Sequence, residues 1–356
     1  MKIRFIHTAR TYIIALCALF ICSGSMVYAD KPQELVIITW SDYIDPELIE
    51  KFEARYNAKV KFSYFESDEL RDDLLVDTEG EGYDVILTNG SSIKLYAMRG
   101  WLAPITEQDV PQKKYIDPRW ASAFPYAEEY AVPYFWGTVG IAYRKDLVEQ
   151  DISRWKDLLD PAPELQGNIV MVKDIRDLMS VALKSLGQSI NSTEIKMLEQ
   201  AENLLIKQKP HVKDYSYVAV TEGSSLVKGD ALAALAYSGD ALMLAEYDEN
   251  IAYVVPEEGT NIWIDYLVVS KASKRQKLAM DFINFINEAE NAAQLAEYVY
   301  YASPNLAAVE HLPEDFLNDP VIYPSQAVID NSEFYLELPP RIRKRYNSIQ
   351  PLIIGQ

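Results

Sequence analysis

The sequence predicts an α/β protein organised in two lobes. Segments with strand and helix patterns alternate along the chain, which has 356 residues, enough for two domains. Hydrophobic residues make up 49% of it, enough for a sizeable core. Both cysteines, Cys17 and Cys22, lie near the amino terminus, so packing rather than disulfides has to hold the rest of the chain together.

Residues 1–29 have the organisation of a secretory signal peptide. Basic residues up to Arg10 precede an apolar run from Tyr12 to Cys22, and the small residue Ala29 stands at the expected cleavage point. The run is shorter than the ~20 residues of a membrane-spanning helix. The sequence therefore predicts a soluble, exported protein located in the periplasm.

The chain is strongly acidic. Removal of the three basic residues of the leader changes the formal net charge from −19 to −22. Such a protein repels nucleic acid and attracts cations, although acidity also serves solubility alone. Beyond the leader there is no cysteine, and His211 and His311 are the two histidines, which argues against thiol catalysis, a zinc site or a Ser-His triad. We expect no enzyme activity, no metal and no cofactor.

The first part of the chain predicts a βαβαβ unit. Strands are expected at 34–39, 59–65 and 83–88, and helices at 46–56 and 67–75. Asp45 is a suitable N-cap and Pro46 a suitable first helical residue.

After Ala131 the chain is expected to cross into a second lobe through an apolar strand at 139–143. Further strands are predicted at 168–172, 233–237 and 262–270, and further helices at 175–186, 192–207, 275–286 and 288–299, before a polar, proline-rich tail. The strand at 262–270 is interpreted as the return crossing. Lobe 1 is thus predicted to comprise 30–138 plus 264–309, and lobe 2 to comprise 139–263 plus 310–356.

Two acids open one of the predicted helices. Asp174 and Asp177 are three residues apart, a spacing that lets both carboxylates share one face while Arg176 points elsewhere. Asp is also a favoured N-cap, and an acid in the first turn suits the helix dipole. The pair therefore indicates a cation site or helix capping, and the two roles are compatible.

Acids stand beside aromatic residues at two further places. Trp263 and Asp265 are two apart in a predicted strand, so their side chains point the same way, and an Asp inside an apolar strand needs a partner. Trp40, Asp42 and Tyr43 follow the first strand, where ligands of open α/β sheets bind, although core packing explains Trp40 equally well. Carboxylates and aromatic rings together suit an organic cation.

The order of several short segments adds a family resemblance. These segments are TWSDY at 39–43, YFES at 64–67, YDV at 83–85, VPYFWG at 132–137, DIRD at 174–177, YSG at 237–239, IWID at 262–265 and YASPNLAA at 301–308. With them the chain resembles the periplasmic spermidine/putrescine-binding proteins of bacterial polyamine importers over essentially its whole mature length. No single segment is specific, whereas the ordered set is.

The resemblance implies a type II periplasmic-binding-protein fold with the ligand cleft between two lobes. It implies ligand contacts from Trp40, Tyr43, Thr88, Asp174, Asp177, Tyr237, Trp263, Asp265, Tyr301 and Tyr335. The acids match those that hold amine groups in the family. Two departures change one wall of the pocket: Gly90 lies near the place of a family tyrosine, and Tyr335 lies near the place of a glutamine. The preferred polyamine is therefore open, although three acids suit a triamine better than a diamine.

The expected mechanism is closure of the lobes on a polyamine, after which a membrane partner recognises the closed form. The altered wall favours the norspermidine-sensor branch of the family, in which a norspermidine- or spermidine-bound monomer acts on a membrane receptor with GGDEF/EAL output that controls cyclic-di-GMP and biofilm formation. The alternative is the substrate-binding subunit of a polyamine ABC importer, with a permease as partner. Neither interpretation involves nucleic acid.

Three other interpretations have weaker support. A ferric-ion binder would use the adjacent Tyr300 and Tyr301 as ligands. A secreted glycoside hydrolase would use paired carboxylates with tryptophan platforms. The basic residues between Arg341 and Arg345 are expected to form a solvated helix face, with partner docking as a minor alternative.

Overall fold

The computed structural model describes residues 31–355, and the predicted signal peptide at 1–29 lies outside this range. Within residues 31–355, no helix has both the length and the apolar character needed to cross a membrane. The strands are β1 (Gln33–Thr39), β2 (Ala58–Tyr64), β3 (Val85–Asn89), β4 (Leu102–Ala103), β5 (Ala131–Arg144), β6 (Ile169–Met171), β7 (Val212–Tyr215), β8 (Ala233–Tyr237), β9 (Ile251–Val254) and β10 (Ile262–Ser270).

Helices alternate with these strands along the chain. They are α1 (Pro46–Tyr56), α2 (Asp68–Thr78), α3 (Gly90–Arg99), α4 (Pro118–Ala121), α5 (Ala127–Tyr130), α6 (Lys156–Leu159), α7 (Ile175–Ser185), α8 (Ile195–Gln208), α9 (Ser238–Ala245), α10 (Gln276–Ile286), α11 (Ala289–Val299), α12 (Glu314–Asn318), α13 (Gln326–Asn331) and α14 (Pro340–Ile354). Short 3₁₀ turns occupy Pro111–Tyr115, Lys209–His211 and Leu306–His311.

The strands form one mixed sheet in the order β2-β1-β3-β10-β5-β8-β6-β7, with β4 beside β10 and β9 beside β5. Towards both ends of the sheet the pairing is parallel, since β1 lies between β2 and β3, and β6 lies between β7 and β8. The middle is antiparallel, because β10 pairs with β3 and β5, and β5 pairs with β8. The two parallel parts are therefore joined through the long strand β5.

Two large hydrophobic clusters meet along β5. The first contains buried residues from 35–136 and 262–322, and the second contains buried residues from 139–235 and 338–353. Strand β5 contributes its first half to one cluster and its second half to the other. Residues 31–355 thus have two large packing centres with a boundary inside a single strand, and a smaller third cluster includes Ala142 of β5.

The segment after residue 309 divides between these clusters. Leu312 and Ile322 pack in the first cluster, and Leu338 is the first residue after them that packs in the second. The assignment of 310–356 to lobe 2 stays a prediction.

Local signals account for how the helices near the site begin. Helix α1 follows the N-cap Asp45, whose carboxylate accepts a hydrogen bond from the Glu47 amide at 2.8 Å. Helix α2 follows the N-cap Ser67, whose hydroxyl accepts from the Leu70 amide at 3.2 Å. Both helices come directly after parallel strands, so the residues at their starts lie at the carboxyl edge of the sheet.

Strand β5 is longer than the sequence predicted. It begins at Ala131 rather than at residue 139, because the segment with Pro133 and Gly137, typical of a loop, is held against β10. A β-bulge accommodates it: two residues of β5 stand opposite Asp265, where the register shifts between Ile264 and Tyr266.

Several elements were not predicted. Helices α3 and α9 are additional, and α14 extends the helix face expected at 341–345 to a long helix within the segment otherwise interpreted as a proline-rich tail. Pro340 is its first residue, a position that tolerates proline because the missing amide has no helical partner there. Strands β7 and β9 are also additional.

Candidate functional site

The predicted site residues converge on the sheet edge where parallel strands end and helices begin. Tyr43 follows β1, Asp174 and Asp177 open α7 after β6, and Tyr237 ends β8. Ligands of open α/β sheets bind at this edge. Tyr237 and Trp263 pack against both hydrophobic clusters, which places them at the boundary between the two packing centres.

Four of the predicted aromatic residues form a continuous row. The ring centroids of Tyr43 and Tyr301 are 6.1 Å apart, those of Tyr301 and Trp263 are 4.7 Å apart, and those of Trp263 and Tyr237 are 6.2 Å apart. All three contacts are edge-to-face, the geometry that ring quadrupoles favour. Tyr217, which the sequence did not single out, stacks on Tyr237 at 6.2 Å. The row provides an apolar wall with fixed ring orientations.

Two glycines make room for this row. Gly137 lies directly opposite Trp263 in the β5–β10 ladder, and a Cβ atom there would stand 2.7 Å from the indole ring. A Cβ atom on Gly239 would stand 2.6 Å from the ring of Tyr301. Any side chain at either position would displace an aromatic residue, so both rings depend on close approach to backbone.

Asp265 is partly buried next to this row, at the β-bulge between β10 and β5. Burial raises its pKa to about 7, the negative charge of Asp68 contributes in the same direction, and the charge of Arg71 and a hydrogen bond from Tyr43 act in the opposite one. Carboxylates with a raised pKa gain most from a nearby cation, because the cation stabilises the ionised form. Asp265 therefore favours a positively charged ligand.

Asp177 is 3% exposed and accepts two phenolic hydrogen bonds. The hydroxyl of Tyr237 donates to Oδ2 at 2.8 Å, and the hydroxyl of Tyr335 donates to Oδ1. Burial still raises the pKa of Asp177, although both phenols and Arg176 favour its ionised form. The guanidinium of Arg176 lies 4.2 Å from the ring centroid of Tyr335. Two predicted tyrosines thus hold one predicted acid.

Asp174 performs the capping role that the sequence left open. Its carboxylate accepts hydrogen bonds from the amides of Arg176 at 2.7 Å and Asp177 at 3.0 Å. The pKa of Tyr217 is raised by burial and by the charges of Asp174 and Asp177, which shows that both acids lie near the same ring. Capping and proximity to the cleft therefore coexist at Asp174, and its ligand contact stays a prediction.

Two predicted residues lie apart from the aromatic row. The ring of Trp40 packs on Phe65 with centroids 4.3 Å apart. Thr88 is fully buried, and its hydroxyl donates to the carbonyl oxygen of Asn89 at 3.4 Å. Direct ligand contacts by Trp40 and Thr88 stay predictions.

Two further acids lie at the site without having been predicted. Asp68 is the first residue of α2, and its charge raises the pKa of both Asp265 and Asp177 after the larger effect of burial. Asp240, in the first turn of α9, accepts the hydroxyl of Tyr301 at 2.9 Å, and burial raises its pKa to about 6. In the sequence, both acids are recognisable only as acids in the first turn of a helix that follows a strand. Helix capping explains this pattern equally well.

The structure weakens the iron-binding interpretation. Tyr300 and Tyr301 donate their hydroxyls to different carboxylates, Glu246 at 3.3 Å and Asp240 at 2.9 Å, so the pair does not converge on one point. In the described part of the chain, no group of three or more His, Cys, Asp or Glu side chains is arranged to hold a metal ion.

The basic residues near the carboxyl terminus lie on α14. Arg341, Arg343 and Lys344 are exposed, as expected for a solvated helix face. Arg345 instead pairs with Glu202 at 2.7 Å and connects α14 to α8.

The chain matches the family of bacterial extracellular solute-binding proteins over residues 47–323. It is 28% identical over 312 residues to the spermidine/putrescine-binding periplasmic protein of Escherichia coli (strain K12), covering 87% of this chain and 88% of the relative. It is 30% identical over 302 residues to the norspermidine sensor of Vibrio cholerae serotype O1, covering 84% and 83%.

Similarity extends to a solved structure. The crystal structure of the spermidine/putrescine ABC transporter substrate-binding protein of Streptococcus pneumoniae has a TM-score of 0.78 and 32% sequence identity, and the match covers 89% of this chain and 97% of that one. This likeness confirms the predicted class, a mixed α/β solute-binding-protein fold.

Proposed function

Because this chain belongs to the bacterial extracellular solute-binding protein family, we propose that it binds a polyamine in the periplasm and presents it to the permease of an ABC importer. The family consists of binding proteins that act outside the cytoplasm, so the predictions of a non-enzymatic, periplasmic protein are confirmed. The family alone leaves the ligand open, and the chemistry of the site supports the choice of a polyamine.

One observation carries the proposal: three partly desolvated carboxylates lie beside an aromatic row, and within residues 31–355 the cations that favour their ionised forms are Arg71 for Asp265 and Arg176 for Asp177. Asp265, Asp177 and Asp240 all have raised pKa values because of burial. A slender organic cation would stabilise their ionised forms through charge-assisted hydrogen bonds, while its methylenes pack on the rings. The names of the relatives in Escherichia coli and Streptococcus pneumoniae support the same ligand class.

In this proposal the ligand contacts come from the residues selected from the sequence: Trp40, Tyr43, Thr88, Asp174, Asp177, Tyr237, Trp263, Asp265, Tyr301 and Tyr335. The proposed mechanism takes the two large hydrophobic clusters as the cores of two lobes that move as units about β5 and β10. Acids are expected to matter more than rings, since an unpaired buried charge costs several kcal/mol.

Isothermal titration calorimetry with putrescine, spermidine, norspermidine and spermine tests the ligand class. The wild-type protein is expected to bind at least one of them, and Asp265→Asn is expected to abolish measurable binding while the thermal midpoint without ligand is kept or raised. Asp77→Asn, an exposed change of the same charge, is the matched control and should bind normally. Absence of binding to all four polyamines would refute the proposal.

A second candidate is the role of a ligand-bound sensor. The norspermidine sensor of Vibrio cholerae is similar to this chain at 30% identity, which supports a sensing role. A membrane receptor that controls cyclic-di-GMP and biofilm formation as the partner stays a prediction from the family resemblance. From the sequence this was the favoured role. The comparisons favour import instead, because transport-type binding proteins recur among the relatives at similar identity.

The two roles predict different neighbours and phenotypes. Genes for a permease and an ATPase beside this gene support import, and a gene for a membrane GGDEF/EAL protein supports sensing. In a deletion strain, loss of radiolabelled polyamine uptake with unchanged cyclic-di-GMP supports import. The opposite pattern, unchanged uptake with altered cyclic-di-GMP, would exclude import as the main role.

A further inference from the structure

Helix α9 is attached at both of its ends to the two tyrosines that follow α11. In its first turn, the carboxylate of Asp240 accepts the hydroxyl of Tyr301 at 2.9 Å. Directly after its last residue, the carboxylate of Glu246 accepts the hydroxyl of Tyr300 at 3.3 Å. Neither the sequence reasoning nor the names of the relatives assign a role to either acid.

The contact between Tyr301 and Asp240 joins different halves of the sheet. Helix α9 follows β8 and precedes β9, and both of these strands pair with the second half of β5. Tyr301 is 6% exposed and packs in the first hydrophobic cluster, and the next residue, Ala302, pairs with Trp136 in the first half of β5. The hydrogen bond therefore runs from the first packing centre to a helix held by the other half of β5.

Tyr301 is held in one orientation by contacts on several sides. Its ring lies edge-to-face against Trp263 and Tyr43 in the aromatic row. On another side, a Cβ atom on Gly239 would stand 2.6 Å from the ring, so the ring reaches the backbone at the start of α9 because residue 239 has no side chain. The ring thus packs on the start of α9 while its hydroxyl reaches Asp240.

The two hydrogen bonds at the ends of α9 differ in strength. Burial raises the pKa of Asp240, and the hydrogen bond from Tyr301 favours the ionised form of this carboxylate. A hydrogen bond to an ionised group changes an equilibrium by roughly tenfold to a hundredfold. Glu246 is exposed and its contact is longer, so solvent weakens that interaction. Asp240 is accordingly the stronger of the two attachments.

We propose that Asp240 is a positioning residue that holds Tyr301 across the two lobes and thereby slows opening of the ligand-bound protein. Movement of the lobes about β5 and β10 would separate Tyr301 from Asp240 and leave a partly buried carboxylate without its phenolic donor. The same bond fixes one ring of the aromatic row. This inference rests on the proposed function, because it concerns release of a polyamine from the same cleft.

Stopped-flow tryptophan fluorescence tests this role, with whichever of putrescine, spermidine, norspermidine and spermine the wild type binds most tightly. Tyr301→Phe removes the hydroxyl and keeps the ring, and Asp240→Ala removes the acceptor and keeps a good helix former. Each variant should raise the dissociation rate constant about tenfold and leave the association rate constant within about twofold, because the bond forms after the ligand has entered. Unchanged dissociation, or a loss confined to association, would overturn the inference.

Glu249→Ala is the matched control, since Glu249 is an exposed acid in the loop after α9. Both of its rate constants should stay within about twofold of the wild-type values. A tenfold faster dissociation in this variant as well would assign the effect to net charge and refute the role of Asp240.

The double variant Asp240→Ala/Tyr301→Phe distinguishes one shared hydrogen bond from two separate structural roles. If a single bond is lost, the double variant should dissociate no more than about twofold faster than the faster single variant. Effects that multiply would contradict the inference. Asp240→Asn keeps an acceptor oxygen and covers the case in which Asp240→Ala does not fold. Its dissociation rate constant should lie between those of the wild type and Tyr301→Phe, and a value above the latter would also contradict the inference.

The wild-type protein separates this inference from the proposed function. If it binds a polyamine but all of the variants release that polyamine at the wild-type rate, only the role of Asp240 is refuted. If it binds none of the four polyamines, the proposed function is refuted and this inference with it.

Discussion

Polyamine binding by this protein is expected to weaken about tenfold when the pH falls from 8 to 6, because of Asp265. With a pKa of about 7, its ionised fraction falls from about nine-tenths to about one-tenth over that interval. If only the carboxylate form binds an ammonium group, affinity falls in proportion, which corresponds to about 1.4 kcal/mol. Asp177, whose pKa burial also raises, would steepen the loss.

Protonation of the ligand has the opposite sign. Alkyl amines have pKa values near that of a lysine side chain, about 10.4, so a polyamine gains charge as the pH falls and would bind more tightly to a fixed set of carboxylates. Weaker binding at pH 6 therefore has to come from the protein.

The ligand-free protein should show a linked effect on stability. The pKa of Asp265 is higher in the folded protein than its ordinary value near 4, so between about pH 4 and pH 7 the folded state holds a proton that the unfolded state has released. The free energy of unfolding of the ligand-free protein accordingly falls as the pH rises through this window. Stabilisation by a polyamine should be largest above pH 7.

Calorimetry at pH 6, 7 and 8 and constant ionic strength measures the effect, with buffers of different ionisation enthalpy to count the protons released. Wild-type protein should release protons on binding at pH 6, whereas any residual binding by Asp265→Asn should be less dependent on pH. Equal wild-type affinity at pH 6 and pH 8, or a parallel pH profile in the variant, would refute the reasoning.

Three further predictions concern other parts of the site. Asp174→Asn keeps an N-cap but loses the charge, so calorimetry should show at least about a tenfold loss of affinity with a nearly unchanged thermal midpoint; normal affinity would leave capping as its only role. Gly239→Ala should displace Tyr301 and lower both the thermal midpoint and polyamine affinity, and an unchanged protein would contradict the close contact. Tyr335→Phe removes one donor to Asp177, so affinity should fall several-fold; tighter binding would mean that the phenol competes with the ligand.

Local sequence patterns predicted the structure correctly where the interactions that determine it are themselves local. The N-cap at Asp45 and the first-turn proline Pro46 start α1 as predicted, because both act within one helical turn. Trp263 and Asp265 are both partly exposed between buried neighbours, as the two-residue strand period requires. Patterns of this kind predicted most of the longer strands and helices.

Non-local packing explains what the sequence did not reveal. Pro133 and Gly137 are typical of a loop, yet they lie in β5 because β10 pairs with that segment through a bulge. Asp68 and Asp240 have the pattern of ordinary first-turn acids, and their partners Asn89 and Tyr301 come from other parts of the chain. A helix-capping pattern contains no information about such partners.

The sequence by itself determined the types of elements, the family and the chemistry of the ligand class, because these depend on residue identity, short-range periodicity and the order of segments. Only the tertiary structure decided which carboxylates lie in a desolvated environment that raises their pKa. The pKa of Asp265 depends on burial and on Asp68 and Arg71, which lie almost two hundred positions away in the chain. Desolvation and Coulomb energies depend on distances in space, and folding brings these acids into one site.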